Sequence, residues 1–405
     1  MAERPNILLL ISHDYGRHLG CYGADVPTPH LERLAGEGLR FDACFCTAPQ
    51  CSPSRASLMT GLFPQQHGLM ELEHLRERME LRPDCRTLPG VLAESGYETR
   101  LIGFQHEHHD ARRLGYAHVD QPWPPYRAAD LAARVEAFLQ AAPRTPFFLN
   151  VGFIETHRPF PPVEGDGAAL RLPPWMDDTA VNRRDLLGFR QRAADLDAAV
   201  GRIDATLRRA GLAQNTILIY TTDHGTPFDR AKMTLFDAGL ETALIVRWPE
   251  VTPAGKTCPA LLSNVDLMPT LLEAAGIVPP AGIAGGSFLP ALRGEAFAGR
   301  EEIFCALTYH VQYLPQRCIR TRTHKYVRFY DSAALAPLLP REVAADSVIV
   351  PGHVAGEALY DLTADPGERN DVASERERRD ELANRLDAWL EDTGDPIRVG
   401  PVNKW

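Results

Sequence analysis

Asn6-Ile7-Leu8-Leu9-Leu10-Ile11 is a continuous apolar run, and it delivers Ser12-His13-Asp14 at its end. A strand that is apolar on both faces belongs inside a parallel sheet covered by helices, because alternation disappears when neither face meets water. The same form returns twice. Phe147-Phe148-Leu149-Asn150-Val151-Gly152-Phe153 leads into Glu155-Thr156-His157, and Thr216-Ile217-Leu218-Ile219-Tyr220-Thr221-Thr222 leads into Asp223-His224. Thr99 to Ile102 and Ala243 to Val246 predict two shorter strands. Leu196, Val200, Ile203 and Leu207, stopped by Gly211, and the segment from Leu267 to Ala275, stopped by Gly276, predict helices. The alternation predicts an α/β fold: a mostly parallel central sheet with helices on both faces. Ligands of such sheets sit beyond the carboxyl ends of the strands. Three strands ending in acids and histidines therefore point at one site.

After Pro279-Pro280 and the glycines from 282 to 286 the pattern shortens to pieces such as Gln316 to Arg320 and Lys325 to Phe329. A last helix is marked by a Ser374/Glu377 capping box, an apolar stripe of Leu382, Leu386, Trp389 and Leu390, and a Gly394/Pro396 stop. The expected division is a catalytic domain over 1–299 and an α+β subdomain over 300–405, with a small antiparallel sheet and a terminal helix.

The chain has 405 residues and a formal charge of −10. That balance and the lack of a Lys/Arg block argue against nucleic acid as a partner, but a small anionic substrate needs only local positive charge. The opening apolar run is too short for a secretory leader, and no run is long enough to span a bilayer, so no membrane partner is expected. The eight cysteines are scattered without zinc-ribbon spacing. Reduced thiols and a cytoplasmic location are the expectation.

Cys51-Ser52-Pro53-Ser54-Arg55-Ala56-Ser57-Leu58-Met59-Thr60-Gly61 is the most specific stretch. A cysteine with Pro at +2 and Arg at +4 can mark a nucleophile made after translation, whereas a buried thiol before a helix is the plainer reading. Helical residues after Pro53 would put the positive end of a macrodipole behind it. Asp14, Asp223 and His224 follow strand ends and are divalent-metal ligand types. Arg55, His106, His157 and Lys232 add cationic or proton-transferring groups, the set a tetrahedral oxyanion needs where charge develops. The implied chemistry is hydrolysis of a sulfate or phosphate.

With these segments in place, the chain resembles the type I sulfatases of the alkaline phosphatase superfamily, most of all the heparan N-sulfatase (sulfamidase) branch. Matching stretches include Pro5 to Asp14, Thr28-Pro29-His30-Leu31, the Cys51 run, Leu101-Ile102-Gly103, Glu155 to Arg158, Asp223 to Phe228, and Leu359 to Leu362 with Asp365-Pro366. The resemblance implies an alkaline phosphatase-like fold and a sulfatase acting on a sulfate ester or N-sulfate of a sugar or small organic compound. It implies that a formylglycine-generating maturation enzyme converts Cys51 to formylglycine and that Asp14, Asp223 and His224 hold one divalent ion, with Cys51 against it. Arg55 would steady the hydrated aldehyde, with Asp223 aiding its deprotonation. His106 would take a proton from its second hydroxyl, and His157 and Lys232 would bind sulfate, one of them protonating the leaving group.

Several positions depart from the family pattern. His13-Asp14 stands for two aspartates and Asp223-His224 for an Asp-Asn pair, which moves the metal preference from Ca²⁺ towards Mn²⁺ or Zn²⁺. His13 is either a ligand or an outer partner of one. Phe104-Gln105-His106 lacks the family lysine, whose charge Arg112, Arg113, Arg158 or the C-terminal part could supply. Glu107, His108, His109 and Asp110 read as an exposed loop or as substrate contacts. His310 and Arg317 are candidate substrate contacts. A phosphodiester or phosphonate monoester hydrolase using the same nucleophile is the alternative activity, and a noncatalytic binding protein of the same fold is the third reading.

Overall fold

The computed structural model describes residues 4–75, 79–310, 312–330, 356–400 and 402. Its main sheet contains β1 (Asn6–Ser12), β2 (Leu39–Phe45), β3 (Glu98–Gly103), β4 (His118–Asp120), β5 (Phe147–Gly152), β6 (Thr216–Thr222), β7 (Glu241–Arg247) and β8 (Lys256–Ser263). They lie in the order β4-β3-β5-β1-β6-β7-β2-β8. The quoted run thus sits mid-sheet, with Ile7 opposite Phe148 on one side and Ile217 on the other. Its continuous apolarity has the expected cause: Ile7, Leu9 and Ile11 enter one core, and Leu8 and Leu10 the other.

The sheet is mixed rather than all parallel, because β7 runs antiparallel to both β6 and β2. A parallel return needs a long crossover, usually helical. The residues between β6 and β7 carry Asp223, His224 and Lys232 instead, with only a four-residue helix, Asp237–Leu240.

Helices Ala128–Gln140 and Ala180–Arg209 cover one face, and Leu267–Ala274 packs on the other. The second of these begins well before the Leu196 stripe. Gly188 and Gly201 thin the pattern without breaking the helix, since a Cβ at either would lie 2.6 Å from Phe160 or 2.5 Å from His30. Close packing offsets the propensity cost of about 1 kcal/mol per glycine. At the site end of β3 and β5, Phe104 N–H donates to Gly152 O at 2.7 Å. A Cβ at Gly152 would fall 1.6 Å from the Phe104 carbonyl oxygen.

The C-terminal part forms an antiparallel sheet of β9 (Glu302–His310), β10 (Gln312–Thr321), β11 (His324–Phe329) and β12 (Gly356–Asp361), ordered β12-β11-β10-β9. The terminal helix, Arg376–Asp392, buries the stripe expected of it. Trp389 stacks on Phe304 at 4.9 Å and meets Phe63 edge-on at 5.1 Å, which ties the subdomain to the main body. The Ser374/Glu377 capping box does not form: the helix starts one residue later than that box requires, with Glu375 as an N-cap that makes no side-chain cap, and the Ser374 carbonyl accepts Arg376 N–H in a turn.

Candidate active site

Cys51 opens the helix Cys51–Thr60, whose ten residues are all buried and which ends on Gly61 in the left-handed region, where the glycine N–H closes on Ser57 O. Macrodipole and first-turn N–H groups favour negative charge at this end. Behind the helix, His67 is buried and neutral: Leu69 N–H donates to its Nδ1 at 3.2 Å, so the proton lies on Nε2, 3.2 Å from Pro53 O and 3.1 Å from Ser57 Oγ.

The ends of β1 and β6 bring His13, Asp14, Asp223 and His224 around the Cys51 thiol. One donor atom from each of these five residues lies within 4.8 Å of every other. Cys51 Sγ is 3.4 Å from His224 Nε2, 3.9 Å from Asp14 Oδ1 and 4.0 Å from His13 Nδ1. Asp223 is fixed through three groups: its Oδ1 accepts Asp14 N–H and His224 N–H, each at 2.9 Å, and its Oδ2 accepts Arg55 Nε–H at 3.0 Å. Asp14 holds φ = 53°, a conformation that costs about 1–3 kcal/mol for a side-chain-bearing residue and here turns its carboxylate into the cluster.

The electrostatics follow from burial of so many charges. Burial alone would lower both imidazole pKa values. Against it, Cys51, Asp14 and Asp223 raise His13 to about 9, and Asp223 with Asp14 raises His224 to about 10. Burial likewise opposes ionisation of Asp14, which Lys232 and His13 nonetheless hold well below the carboxylate range. The Cys51 thiol is also pulled well down despite burial, first by Lys232 and then by His13. Two carboxylates and a thiolate are thus gathered where water cannot reach, and imidazole protons balance them. A divalent cation fits this set: the donors converge, and His224 Nδ1 lies 3.0 Å from Gly225 O, which leaves Nε2 facing Asp14 Oδ1 at 3.0 Å.

Around this centre, Lys232 Nζ donates to Asp14 Oδ2 at 2.7 Å and His157 Nε2 stands 3.8 Å from the same oxygen. His157 Nδ1–H donates to Arg158 O at 2.5 Å, while Arg158 itself turns to Pro227 O and Asp185. Arg55 Nη2 is buried without a hydrogen-bond partner. Phe104 fills the place between them, its ring 4.8 Å from that of His13 and 5.1 Å from the Arg55 guanidinium carbon.

The remaining expected residues divide. His106 does hydrogen-bond at the rim, but its partner is His74, Nδ1 to Nε2 at 2.7 Å, a residue no sequence pattern singled out. His310, at the end of β9, has both ring nitrogens buried and unpartnered, and burial and then Lys232 lower its pKa to about 4. Arg317 is a correction. It is fully buried, bonds Asp395 at 2.6 and 3.0 Å and the carbonyls of Leu307 and Gln316, and so braces the subdomain instead of meeting substrate. The exposed-loop reading of Glu107 and His108 also gives way, since they are 1% and 5% exposed. Glu107 lies close enough for Arg55 to offset part of the burial penalty on its carboxyl.

The family model described as Sulfatase matches residues 5–277, and the one described as N-sulphoglucosamine sulphohydrolase, C-terminal, matches residues 223–343. The human N-sulphoglucosamine sulphohydrolase is 28% identical over 99% of this chain and 92% of its own length. A solved complex of a protein with its substrate D-glucosamine-2-N,6-O-disulfate superposes with a TM-score of 0.79 at 21% identity, covering 97% of this chain and 99% of that one. A phosphonate monoester hydrolase of Agrobacterium radiobacter does so with a TM-score of 0.76 at 21% identity, covering 96% of each. At such identity these two likenesses speak to the fold alone.

Proposed function

The chain belongs to the sulfatase family and is a sulfuric ester hydrolase, and we propose that it acts through Cys51, matured to formylglycine, on a sulfate ester or N-sulfate of a sugar. The observation that carries this reading is the Cys51 side chain at the head of a buried helix, 3.4 Å from His224 and 3.9 Å from Asp14. When formed by a maturation enzyme, formylglycine supplies a hydrated aldehyde as nucleophile. A divalent ion held by His13, Asp14, Asp223 and His224 would supply Lewis acidity, and two imidazoles in the set favour Mn²⁺ or Zn²⁺ over the family's Ca²⁺.

The chain's own groups divide the remaining work. Arg55 is locked on Asp223 through Nε, and its unpartnered Nη2 is a donor available to the nucleophile's oxygen. Lys232 holds its proton, its pKa raised because Asp14 and Cys51 outweigh burial, so it is the fixed cation for sulfate oxygens. His157 has its pKa lowered by burial despite Asp14, which makes it the readier proton donor to the leaving group. His106, coupled to His74, receives the proton released from the nucleophile. His310 brings the C-terminal subdomain to the substrate side.

Mass spectrometry of the Cys51 peptide from protein made with a maturation enzyme, together with turnover of a glucosamine N-sulfate and an aryl sulfate, tests the reading. Formylglycine at 51 and sulfate release abolished by Cys51→Ala are expected. An intact thiol in active protein, or higher kcat/KM for an aryl phosphodiester or phosphonate, would overturn it.

A further inference from the structure

We propose that Lys325 of the C-terminal subdomain, paired with Glu368, is a positioning residue for Lys232 and holds the loop that carries it against the catalytic centre; this rests on the reading of Lys232 as the cation for sulfate oxygens. Lys232 lies between β6 and the helix Asp237–Leu240. Its loop holds two side-chain-bearing residues in the left-handed region, Arg230 at φ = 60° and Met233 at φ = 69°. Such conformations persist only where the surroundings over-determine them. Next to the site, Lys232 N–H donates to Thr226 O at 3.0 Å, and Met233 N–H donates at 3.0 Å to Pro49 O, just ahead of Cys51.

The subdomain holds both flanks of this loop. Upstream, Arg230 Nη2 donates to the carbonyls of Gly367 and Glu368 at 3.3 and 2.8 Å. Downstream, Lys325 Nζ, on β11, donates to Leu235 O at 2.9 Å, and Glu368 Oε2 accepts Asp237 N–H at 2.5 Å. Lys325 Nζ is 2.7 Å from Glu368 Oε1 and 2.5 Å from Asp237 Oδ1, and Arg320 Nη2 meets the other Asp237 oxygen at 2.8 Å. One clamp thus grips the loop on either side of Lys232.

Lys325 is 0% exposed and Glu368 3%. An ammonium has three N–H donors. Leu235, Asp237 and Glu368 take all three, so Lys325 keeps none for substrate. Buried ion pairs add little stability over apolar packing of the same volume. What this pair supplies is location: Lys232 Nζ stands 2.7 Å from Asp14 Oδ2, and misplacing such a group by about 1 Å costs about 10²-fold in rate.

The test is a double-mutant cycle on kcat/KM, with whichever of a glucosamine N-sulfate and an aryl sulfate turns over faster, each protein normalised to its formylglycine content by mass spectrometry. Lys232→Ala is expected to lower kcat/KM by about 10²- to 10³-fold, and Lys325→Met by about 10- to 10²-fold. The double variant should match Lys232→Ala within about twofold, because a clamp acting through Lys232 has nothing to place once that amine is gone. Losses that multiply, as a general loss of folded protein would make them, or wild-type kcat/KM in Lys325→Met, would overturn the proposal. Wild-type kcat/KM in Lys232→Ala would overturn the reading of Lys232 itself, and the proposal with it. Arg230→Met removes the upstream tie and leaves no carboxylate unpaired, so it replaces Lys325→Met in the cycle where melting curves show that variant unfolded.

Discussion

His67 should make the helix that carries Cys51 acid-labile. It is fully buried 14 residues beyond Pro53, whose carbonyl faces its Nε2, and burial lowers its pKa from 6.5 to about 3. The sign is that of a histidine depressed in the folded state: the unfolded chain binds the proton first. Stability is therefore intact above pH 6.5 and falls as pH drops from there towards 3. By linkage, the loss at pH 5 is about 2 kcal/mol. Protonating Nδ1 would also set two N–H groups against each other, since Leu69 N–H already points at it. Glutamine keeps a donor and an acceptor but does not titrate. Urea unfolding of wild type and His67→Gln at pH 7 and pH 5, followed by both tryptophan fluorescence and circular dichroism, measures the effect. His18 and His310, each lowered to about 4 first of all by burial, titrate in both proteins and cancel in the difference, as does acid release of a metal. The stability advantage of wild type should shrink by about 2 kcal/mol between the two pH values. An advantage unchanged with pH would refute the assignment of a neutral, hydrogen-bonded His67.

Three further outcomes follow from the same geometry. If His157 gives the leaving group its proton, kcat should fall as pH rises through a value below 6.5, and His157→Gln should lower kcat by about 10²- to 10⁴-fold and abolish that limb; a pH–rate profile decides. Arg317→Leu leaves Asp395 buried without its partner and should cost about 3–5 kcal/mol in chemical denaturation, with KM unchanged in the folded fraction; a raised KM would return Arg317 to the substrate. Gly152→Ala drives a methyl into the Phe104 carbonyl, so the expressed protein should be insoluble or melt far below wild type.

What the sequence disclosed follows from what the backbone constrains. His13, Asp14, Asp223 and His224 were legible because they terminate neighbouring strands, and a sheet fixes where strand ends go whatever the loops do. Cys51 was legible for a second reason, the local motif that starts its helix. Loop residues carry no such constraint. The partnership of His74 with His106 depends on the path of two loops 32 residues apart, and the surroundings of the buried Glu107 include Arg55, which arrives from the distant Cys51 helix. Arg317 misled for another reason: the sulfamidase resemblance brings the C-terminal part to the pocket, and only a partner 78 residues away turns this residue into a brace. The β2 strand went unread because its pattern, Leu39-Arg40-Phe41-Asp42-Ala43-Cys44-Phe45, shifts register after Phe41. Cys51 and the buried donor set therefore rest on a helix start and on strand ends. If His157 and His310 meet the leaving group as proposed, they do so from a loop and from the end of β9, positions that can change while the strand ends stay, so one family can keep its reaction while changing what it releases.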